Sequence, residues 1–333
     1  MTERPSSEAA ADLGPGPILI TGAGGFVGRH LTRHLEAEGR TVVGCDRAAV
    51  DGREGTLVVW DLGSREPGAS DRLADLIDQH AAAAVVHLAG QSSAGASFDD
   101  PTGTVDANLL GALELLEALR ELGSRGRPVP RALLIGSAEE YGAAARAEGC
   151  REDDPVLPIS PYGTSKAAAT QLTVQYHRRF GLPVIPVRPF SHTGPGHDER
   201  FVFPSFAGQI AAIEAGRAEP VLRVGNLAPA RDFLDVRDVV AAYRALLDRG
   251  EPGVIYNVCS GSTLTIRDGL EILLGSSTAT VRVEPDPARQ RPVDIPVLVG
   301  DPSRLREATG WTPRVDFRDT LGALLEAARR HVT

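Results

Sequence analysis

Cysteine is scarce in this chain. Cys45, Cys150 and Cys259 are odd in number, far apart and form no Cys-x-x-Cys pair, which argues against a disulfide framework and a cysteine-built zinc site. No metal is expected, and a reducing, cytoplasmic setting fits this usage. Long apolar runs are missing as well: none approaches the roughly 20 residues that a membrane-spanning helix requires. Positive charge is in deficit, with 35 Lys and Arg against 44 Asp and Glu and a net charge of -9. An acidic chain of this kind disfavours nucleic acid and anionic membrane as partners while leaving room for a local basic site. The start lacks the basic and apolar blocks of a secretion signal, and Met1 to Gly16, rich in Ser, Glu, Ala and Pro, reads as a disordered leader.

What is present is the composition of a globular protein. At 42% hydrophobic and 24% charged over 333 residues, the chain is long enough for one large α/β domain with a smaller companion. Ile18 to Thr21 is a short apolar run leading into Gly22-Ala-Gly-Gly25-Phe-Val-Gly28, and Arg29 to Glu38 then has helical spacing and stops at Gly39. Strand, glycine turn and helix in that order let the backbone turn tightly and approach a pyrophosphate, with the helix N-terminus facing the phosphates. The spacing is GxxGxxG. Thr41 to Cys45 makes a second strand ending at Asp46, eighteen residues after Gly28. An acidic side chain there binds the adenosine ribose hydroxyls, with a simple turn cap as the alternative. The carboxylate favours NAD(H), whereas Arg47, next in the chain, offers a partner for the 2'-phosphate of NADP(H).

Leu57 to Trp60 is a third strand, and Asp61-Leu62 after it either reaches the adenine edge or turns the chain. Asp71 to His80 reads as a helix. Ala83 to Leu88 is a fourth strand, apolar throughout as a buried parallel strand is, with His87 as a core histidine. It ends in Ala89-Gly90-Gln91-Ser92, small residues that allow close approach of a cofactor. Thr102 to Leu122 has the spacing of one long helix, in which Asn108 needs a backbone or water partner. Ala132 to Ile135, the fifth strand, delivers Gly136-Ser137-Ala138-Glu139-Glu140-Tyr141-Gly142 to the carboxyl edge of the sheet, where open parallel sheets bind ligands.

The stretch Ser160-Pro-Tyr162-Gly-Thr-Ser-Lys166 follows. Ser160 suits an N-cap and Pro161 a first helical position, so a helix is expected to start here and run toward Phe180. Tyr162 and Lys166 then share one face. The ammonium and the helix N-terminus are both expected to lower the pKa of Tyr162, fitting it for proton transfer. By itself a YxxxK pair is a weak signal, with an exposed tyrosine beside a solvated lysine as the ordinary explanation. It gains weight from the glycine turn and Ser137 upstream.

In the C-terminal half, Val184 to Val187 is a sixth strand, and Arg188-Pro189-Phe190-Ser191-His192-Thr193-Gly-Pro-Gly196 is an irregular loop at which a second domain begins. Phe201-Val202-Phe203-Pro opens a helix reaching Gly216. Val221 to Val224 leads to Gly225-Asn-Leu-Ala-Pro-Ala-Arg231-Asp232-Phe233-Leu-Asp235-Val-Arg237-Asp238. In that run Arg231 has the guanidinium geometry for a diphosphate, with an ion pair to Asp232 or Asp235, or a solvated turn, as alternatives. Tyr256 to Gly261 reads YNVCSG, Arg289 to Asp301 contains Arg291-Pro-Val-Asp294, and Asp316 to His331 is a closing amphipathic helix.

Taken together, the glycine turn, Asp46, Asp61-Leu62, the His87-Leu-Ala-Gly90 segment, Ser137 and the Tyr162/Lys166 pair resemble the extended short-chain dehydrogenase/reductase family, and within it the nucleotide-sugar enzymes. The resemblance covers nearly the whole chain beyond the leader. It implies a Rossmann-type doubly wound parallel sheet over 17–190, with returning segments near 232–260, and a smaller α/β substrate lobe over 191–333. It further implies cofactor contacts at Gly22, Gly25, Phe26, Val27, Gly28, Asp46, Arg47, Asp61, Leu62, Leu88, Ala89, Gly90, Tyr162, Lys166, Pro189 and His192. Ser92, Ser137, Ser191, Val202, Arg231, Arg291 and Asp294 are implied for a GDP-sugar. In that scheme Tyr162 supplies the proton, Lys166 holds the phenolate and a nicotinamide ribose hydroxyl, and Ser137 fixes the sugar oxygen. Dimerisation through the helix at Tyr162 and the one from Thr102 is implied as well.

Which reaction follows is less direct. The glycine turn and Phe190 to Gly196 resemble the GDP-4-keto-6-deoxy-mannose reductases, with Ser191 in place of their Asn. Glu139 keeps open a GDP-mannose 4,6-dehydratase, although Ala138 stands where many dehydratases carry an Asp. A C4 epimerase with recycled nicotinamide is a sibling, and a non-catalytic dinucleotide-binding scaffold is the reading of another class.

Overall fold

The computed structural model describes residues 13–48, 56–63, 66–289 and 295–332. The first apolar run makes β1 (Ile18–Thr21), and Gly22 ends it with a left-handed backbone, φ 70°. Next come α1 (Phe26–Ala37), β2 (Val42–Asp46), β3 (Thr56–Val59), α2 (Ala69–Gln79) and β4 (Ala84–His87). Short α3 (Ala96–Asp99) and α4 (Pro101–Val105) lead through a π turn (Asp106–Leu110) into α5 (Gly111–Ser124). β5 (Arg131–Ile135) is followed by a 3-10 turn (Ala138–Glu140), then α6 (Pro161–Phe180) and β6 (Val184–Pro189). Of the leader expected over 1–16, residues 1–12 lie outside the described residues, and Leu13 packs against the core.

β7 (Ser191–Thr193), α7 (Val202–Glu214), β8 (Val221–Val224), β9 (Ala230–Arg231) and β10 (Phe233–Asp235) follow. The chain continues with α8 (Val236–Arg249), β11 (Tyr256–Val258), β12 (Leu264–Thr265), α9 (Ile266–Gly275) and β13 (Arg282–Pro285). It closes with β14 (Val297–Leu298), α10 (Ser303–Thr309) and α11 (Phe317–Val332).

Seven strands form one sheet in the order β11-β6-β5-β4-β1-β2-β3, every neighbouring pair parallel. This is the doubly wound order, and the chain changes direction between β1 and β4, the crevice where such sheets take ligands. Because side chains alternate along a strand, the sheet splits its residues between two cores. Ile18, Ile20, Val42, Val86 and Leu133 face α1 and α8, while Leu19, Val43, Val85, Ala132 and Leu134 face α2, α5 and α6. A third core joins α7, α9 and α11 through Phe203, Ile210, Leu270, Leu321 and Leu325, and smaller sheets pair β10 with β7, β13 with β8, and β9 with β12 and β14.

The single helix expected over 102–122 is broken by the π turn. The reason is Asn108, which the extra residue in the turn directs across the molecule: Oδ1 accepts from Gln91 N at 2.9 Å and Nδ2 donates to Ser165 Oγ at 3.0 Å. All three cysteines are buried, free thiols. Among the described residues no helix is long and apolar enough to cross a membrane.

Candidate active site

At the end of β5, Ser137 caps the 3-10 turn. Its hydroxyl accepts from Glu139 N at 3.2 Å, and its own N–H donates to Glu140 Oε1 at 3.0 Å. α6 begins where the sequence predicts it, with Ser160 Oγ accepting from Gly163 N at 3.0 Å and Pro161 as its first residue. Its first turns bring Tyr162 and Lys166 to the same edge, 9% and 8% exposed, and the Ser137 hydroxyl hydrogen-bonds the Tyr162 phenol. Lys166 Nζ donates to the carbonyl of Ile135 at 2.8 Å.

The electrostatics reverse one expectation. Burial pushes Tyr162 up to about 12, the Ser137 hydrogen bond opposing it and the charges of Glu139 and Glu140 adding to it. One N–H of Lys166 goes to a backbone carbonyl, and desolvation of a phenol beside two carboxylates outweighs any help from the helix N-terminus. Lys166 itself is pushed down to about 8 by burial, against the charge of Glu140. His87 is the core histidine expected. Burial, then the Lys166 charge, hold it neutral with a pKa of about 3, and its Nδ1 lies 2.9 Å from Thr21 Oγ1.

The glycine turn fits a dinucleotide. A Cβ on Gly28 would lie 2.2 Å from the Gly22 carbonyl oxygen and one on Gly22 2.8 Å from Ala89 N, so backbone meets backbone at both. Gly25 caps α1 without a side chain, which leaves the amides of the first turn to an anion. Asp46 braces the turn, Oδ2 accepting from Gly24 N and Oδ1 from Arg47 N, each at 2.8 Å. Phe26 stacks on His197 with ring centroids 4.2 Å apart and on His192 at 6.4 Å, joining α1 to the loop beyond Pro189. Val27 and Leu88 pack on the first core. Gly90 lies beside Asn108 and Lys166, since its Cβ would sit 2.5 Å from Asn108 Oδ1 and 3.6 Å from Lys166 Nζ. Ala89 thus links the turn to the Tyr162 cluster. Arg47 and Asp61 are exposed at the sheet edge and Leu62 is buried.

On the substrate side the arrangement is looser. Ser92 is exposed, Ser191 half-buried at the start of β7, and Val202 opens α7 against the third core. The charged run at 231–238 is no solvated turn: Arg231, Asp232, Asp235 and Asp238 are all buried. Arg231 donates through one nitrogen to the carbonyls of Ala230 (2.9 Å) and Ile295 (2.6 Å). Asp232 accepts from the amides of Ser260, Gly261 and Gly300, and Gly300 abuts Phe190, so the Arg231 strand stands behind the loop at 190. Asp235 is bound by Arg237 and Thr320. Arg291 and Asp294 lie outside the described residues.

Sequence reasoning missed Glu140, Arg188 and Glu114. Glu140 and Arg188 form a buried ion pair at 2.7 Å. Glu114 clamps the Asp61-Leu62 turn, accepting from Trp60 Nε1 and Gly63 N, each at 2.9 Å. The available signal was Arg188 itself, a cation in a strand otherwise apolar, which demands a buried partner.

Comparison with known proteins bears on this geometry. The profile of the GDP-mannose 4,6 dehydratase family matches residues 19–323. The chain belongs to that family. It is 38% identical over 309 residues to GDP-6-deoxy-D-mannose reductase of Pseudomonas aeruginosa, across 92% of this chain and 95% of the relative. It is 30% identical to GDP-mannose 4,6 dehydratase 1 of Arabidopsis thaliana, across 94% of this chain and 90% of that one. Among solved structures, RMD from Pseudomonas aeruginosa complexed with NADPH aligns with a TM-score of 0.78 at 35% identity, over 95% of this chain and 100% of that chain. The UDP-glucose 4-epimerase of Thermus thermophilus in complex with NAD reaches 0.80 at 29% identity, over 94% and 99%. The family member described here is therefore an NAD(P)-dependent nucleotide-sugar enzyme with the extended short-chain dehydrogenase/reductase fold.

Proposed function

We propose that this enzyme reduces the C4 keto group of a GDP-4-keto-6-deoxyhexose to a GDP-6-deoxyhexose of the GDP-rhamnose type. The observation that carries this is the likeness to GDP-6-deoxy-D-mannose reductase, 38% identical across 92% of this chain. A buried phenol pushed up to about 12 rests as a proton donor, which is what a carbonyl becoming an alkoxide requires. Ala138, apolar and 3% exposed, offers no proton for elimination of water.

In this reading Tyr162 delivers its proton to the sugar O4 and the Ser137 hydroxyl holds the same oxygen. Lys166 holds a nicotinamide ribose hydroxyl. Gly22 to Gly28, with Asp46 or Arg47 at the adenosine ribose, would hold NADH or NADPH, which when bound would supply the hydride. Arg231 and Arg291 take the two phosphates, and Ser92, Ser191, Val202 and Asp294 the rest of the GDP-sugar. The dinucleotide occupies 17–190 and the sugar nucleotide 191–333, with β11 returning to the main sheet. A homodimer forms through α6 and the helical run from Thr102: Leu172, Tyr176 and Phe180 of α6, with Leu109 from that run, line one groove.

One observation favours a 4,6-dehydratase as the second reading: Glu139 acts by its charge on Tyr162, so a carboxylate stands beside the acid where elimination needs a base. The test is an assay with GDP-4-keto-6-deoxy-D-mannose and each reduced dinucleotide. Loss of reduced nicotinamide with formation of a GDP-6-deoxyhexose is expected. A 4-keto chromophore formed from GDP-mannose with no net change in dinucleotide would establish the dehydratase instead.

A further inference from the structure

Behind Ser137 lies a carboxylate that the scheme above does not use. Glu140 is fully buried and Arg188 is 1% exposed. Glu140 Oε1 accepts from Ser137 N at 3.0 Å and from Thr170 Oγ1 at 2.8 Å, and Oε2 accepts from Arg188 Nε at 2.7 Å. One carboxylate therefore ties the end of β5 to α6 and β6. Arg188 continues inward, donating to Tyr141 OH at 3.2 Å and to the carbonyl of Glu152 at 3.0 Å. Tyr141 OH donates in turn to Asn257 Oδ1 at 2.8 Å. The approach is so close that a Cβ on Gly136 would stand 2.2 Å from Glu140 Oε1.

A buried ion pair of this kind contributes little net stability, because desolvation offsets the attraction, and an apolar pair of similar volume often serves as well. What an apolar pair does not supply is an acceptor for the Ser137 amide and a negative charge within reach of Tyr162 and Lys166. We infer that Glu140 is a positioning residue for the proposed reduction, fixing the Ser137 backbone and setting the charge balance of the Tyr162/Lys166 pair, with Arg188 as its counter-ion and Thr170 as its brace.

The surrounding charges agree with that role. Glu140 acts on Tyr162 alongside Glu139 from the same turn, and it is the charge that opposes the burial of Lys166. His87 of β4 feels the Lys166 ammonium from the far side. Tyr243 of α8 interacts with Tyr162 from the other face of the sheet. Removing the Glu140 charge takes away the carboxylate that supports the Lys166 ammonium, so deprotonation of Lys166 moves to lower pH.

Lys166 is the single lysine in the sequence, so protein grown with lysine carrying carbon-13 at Cε gives one lysine NMR signal whose pH titration reads this residue directly. In the natural protein it is expected to titrate near pH 8, and in Glu140→Gln about one unit lower. Glu140→Asp keeps the charge but draws it away from the Ser137 amide, so the signal stays near its natural midpoint while kcat for reduction falls about tenfold with the dinucleotide KM unchanged. An unmoved or raised midpoint in Glu140→Gln, or full kcat in Glu140→Asp, overturns the inference. Should Glu140→Gln not fold around an unpaired Arg188, Thr170→Val is measured with Glu140→Asp, and full kcat in both overturns it. The kinetic part rests on the proposed reduction and the titration does not: a natural protein that reduces no GDP-keto sugar defeats the functional proposal while the lysine signal still decides the role of Glu140.

Discussion

Tyr162 shows how a residue's surroundings decide its chemistry. A tyrosine four residues before a lysine invites the expectation of an acidified phenol, yet desolvation and two carboxylates hold it up at about 12. Its neighbour Ser137 provides the one interaction that acts in the other direction. Replacing the phenol in Tyr162→Phe is expected to lower kcat for keto reduction by roughly 10²–10⁴. Ser137→Ala, which removes the second donor to the reacting oxygen, is expected to lower it by about 10². Dinucleotide binding, followed by fluorescence titration, should survive in both. Lost binding in either variant would mean that the side chain serves the cofactor rather than the sugar oxygen.

At the scale of elements, the strand, turn and helix from Ile18 to Ala37 work because three backbone segments meet without side chains between them. In Gly28→Ala the new methyl carbon would stand 2.2 Å from the Gly22 carbonyl, and something in the turn must give way. Dinucleotide affinity measured by calorimetry is expected to fall roughly a hundredfold, about 2.8 kcal/mol, while the main sheet persists because β1 is buried against β2 and β4. α6 shows the complementary case. Its start was legible from Ser160 and Pro161, because capping is a local matter of a hydroxyl reaching an amide three residues on. The π turn at Asn108 was not, because it depends on partners at Gln91 and Ser165 that lie far along the chain.

For the molecule as a whole, two histidines removed from water, His87 buried and His197 half-buried, make acid stability a test of the packing. His87 and His197 are both held neutral, with pKa values of about 3, against about 6.5 in an unfolded chain. Between those values the unfolded state binds protons that the folded state refuses, so stability present above pH ~6.5 drains away on acidification. Each such histidine removes up to about 1.4 kcal/mol per pH unit, roughly 2 °C in Tm for a chain of this length. Scanning calorimetry from neutral pH downward should show this slope, and His87→Asn should flatten it by one histidine's share. An unchanged slope would mean that His87 is reached by protons in the folded state.

Local pattern alone determined the alternating strands and helices, the glycine turn, the cap of α6 and the presence of Ser137, Tyr162 and Lys166. These are set by periodicity, by backbone freedom and by spacing within a few residues, all of which are written along the chain. Only the tertiary structure decided that Glu140 rather than Glu139 alone lies behind Ser137, that Arg188 is its partner from another strand, that Glu114 clamps the turn after β3, and that burial raises the pKa of Tyr162 where the nearby lysine was expected to lower it. Each of these depends on removal from water and on charges brought together by the sheet from distant positions, and neither burial nor through-space charge is a property of neighbouring letters.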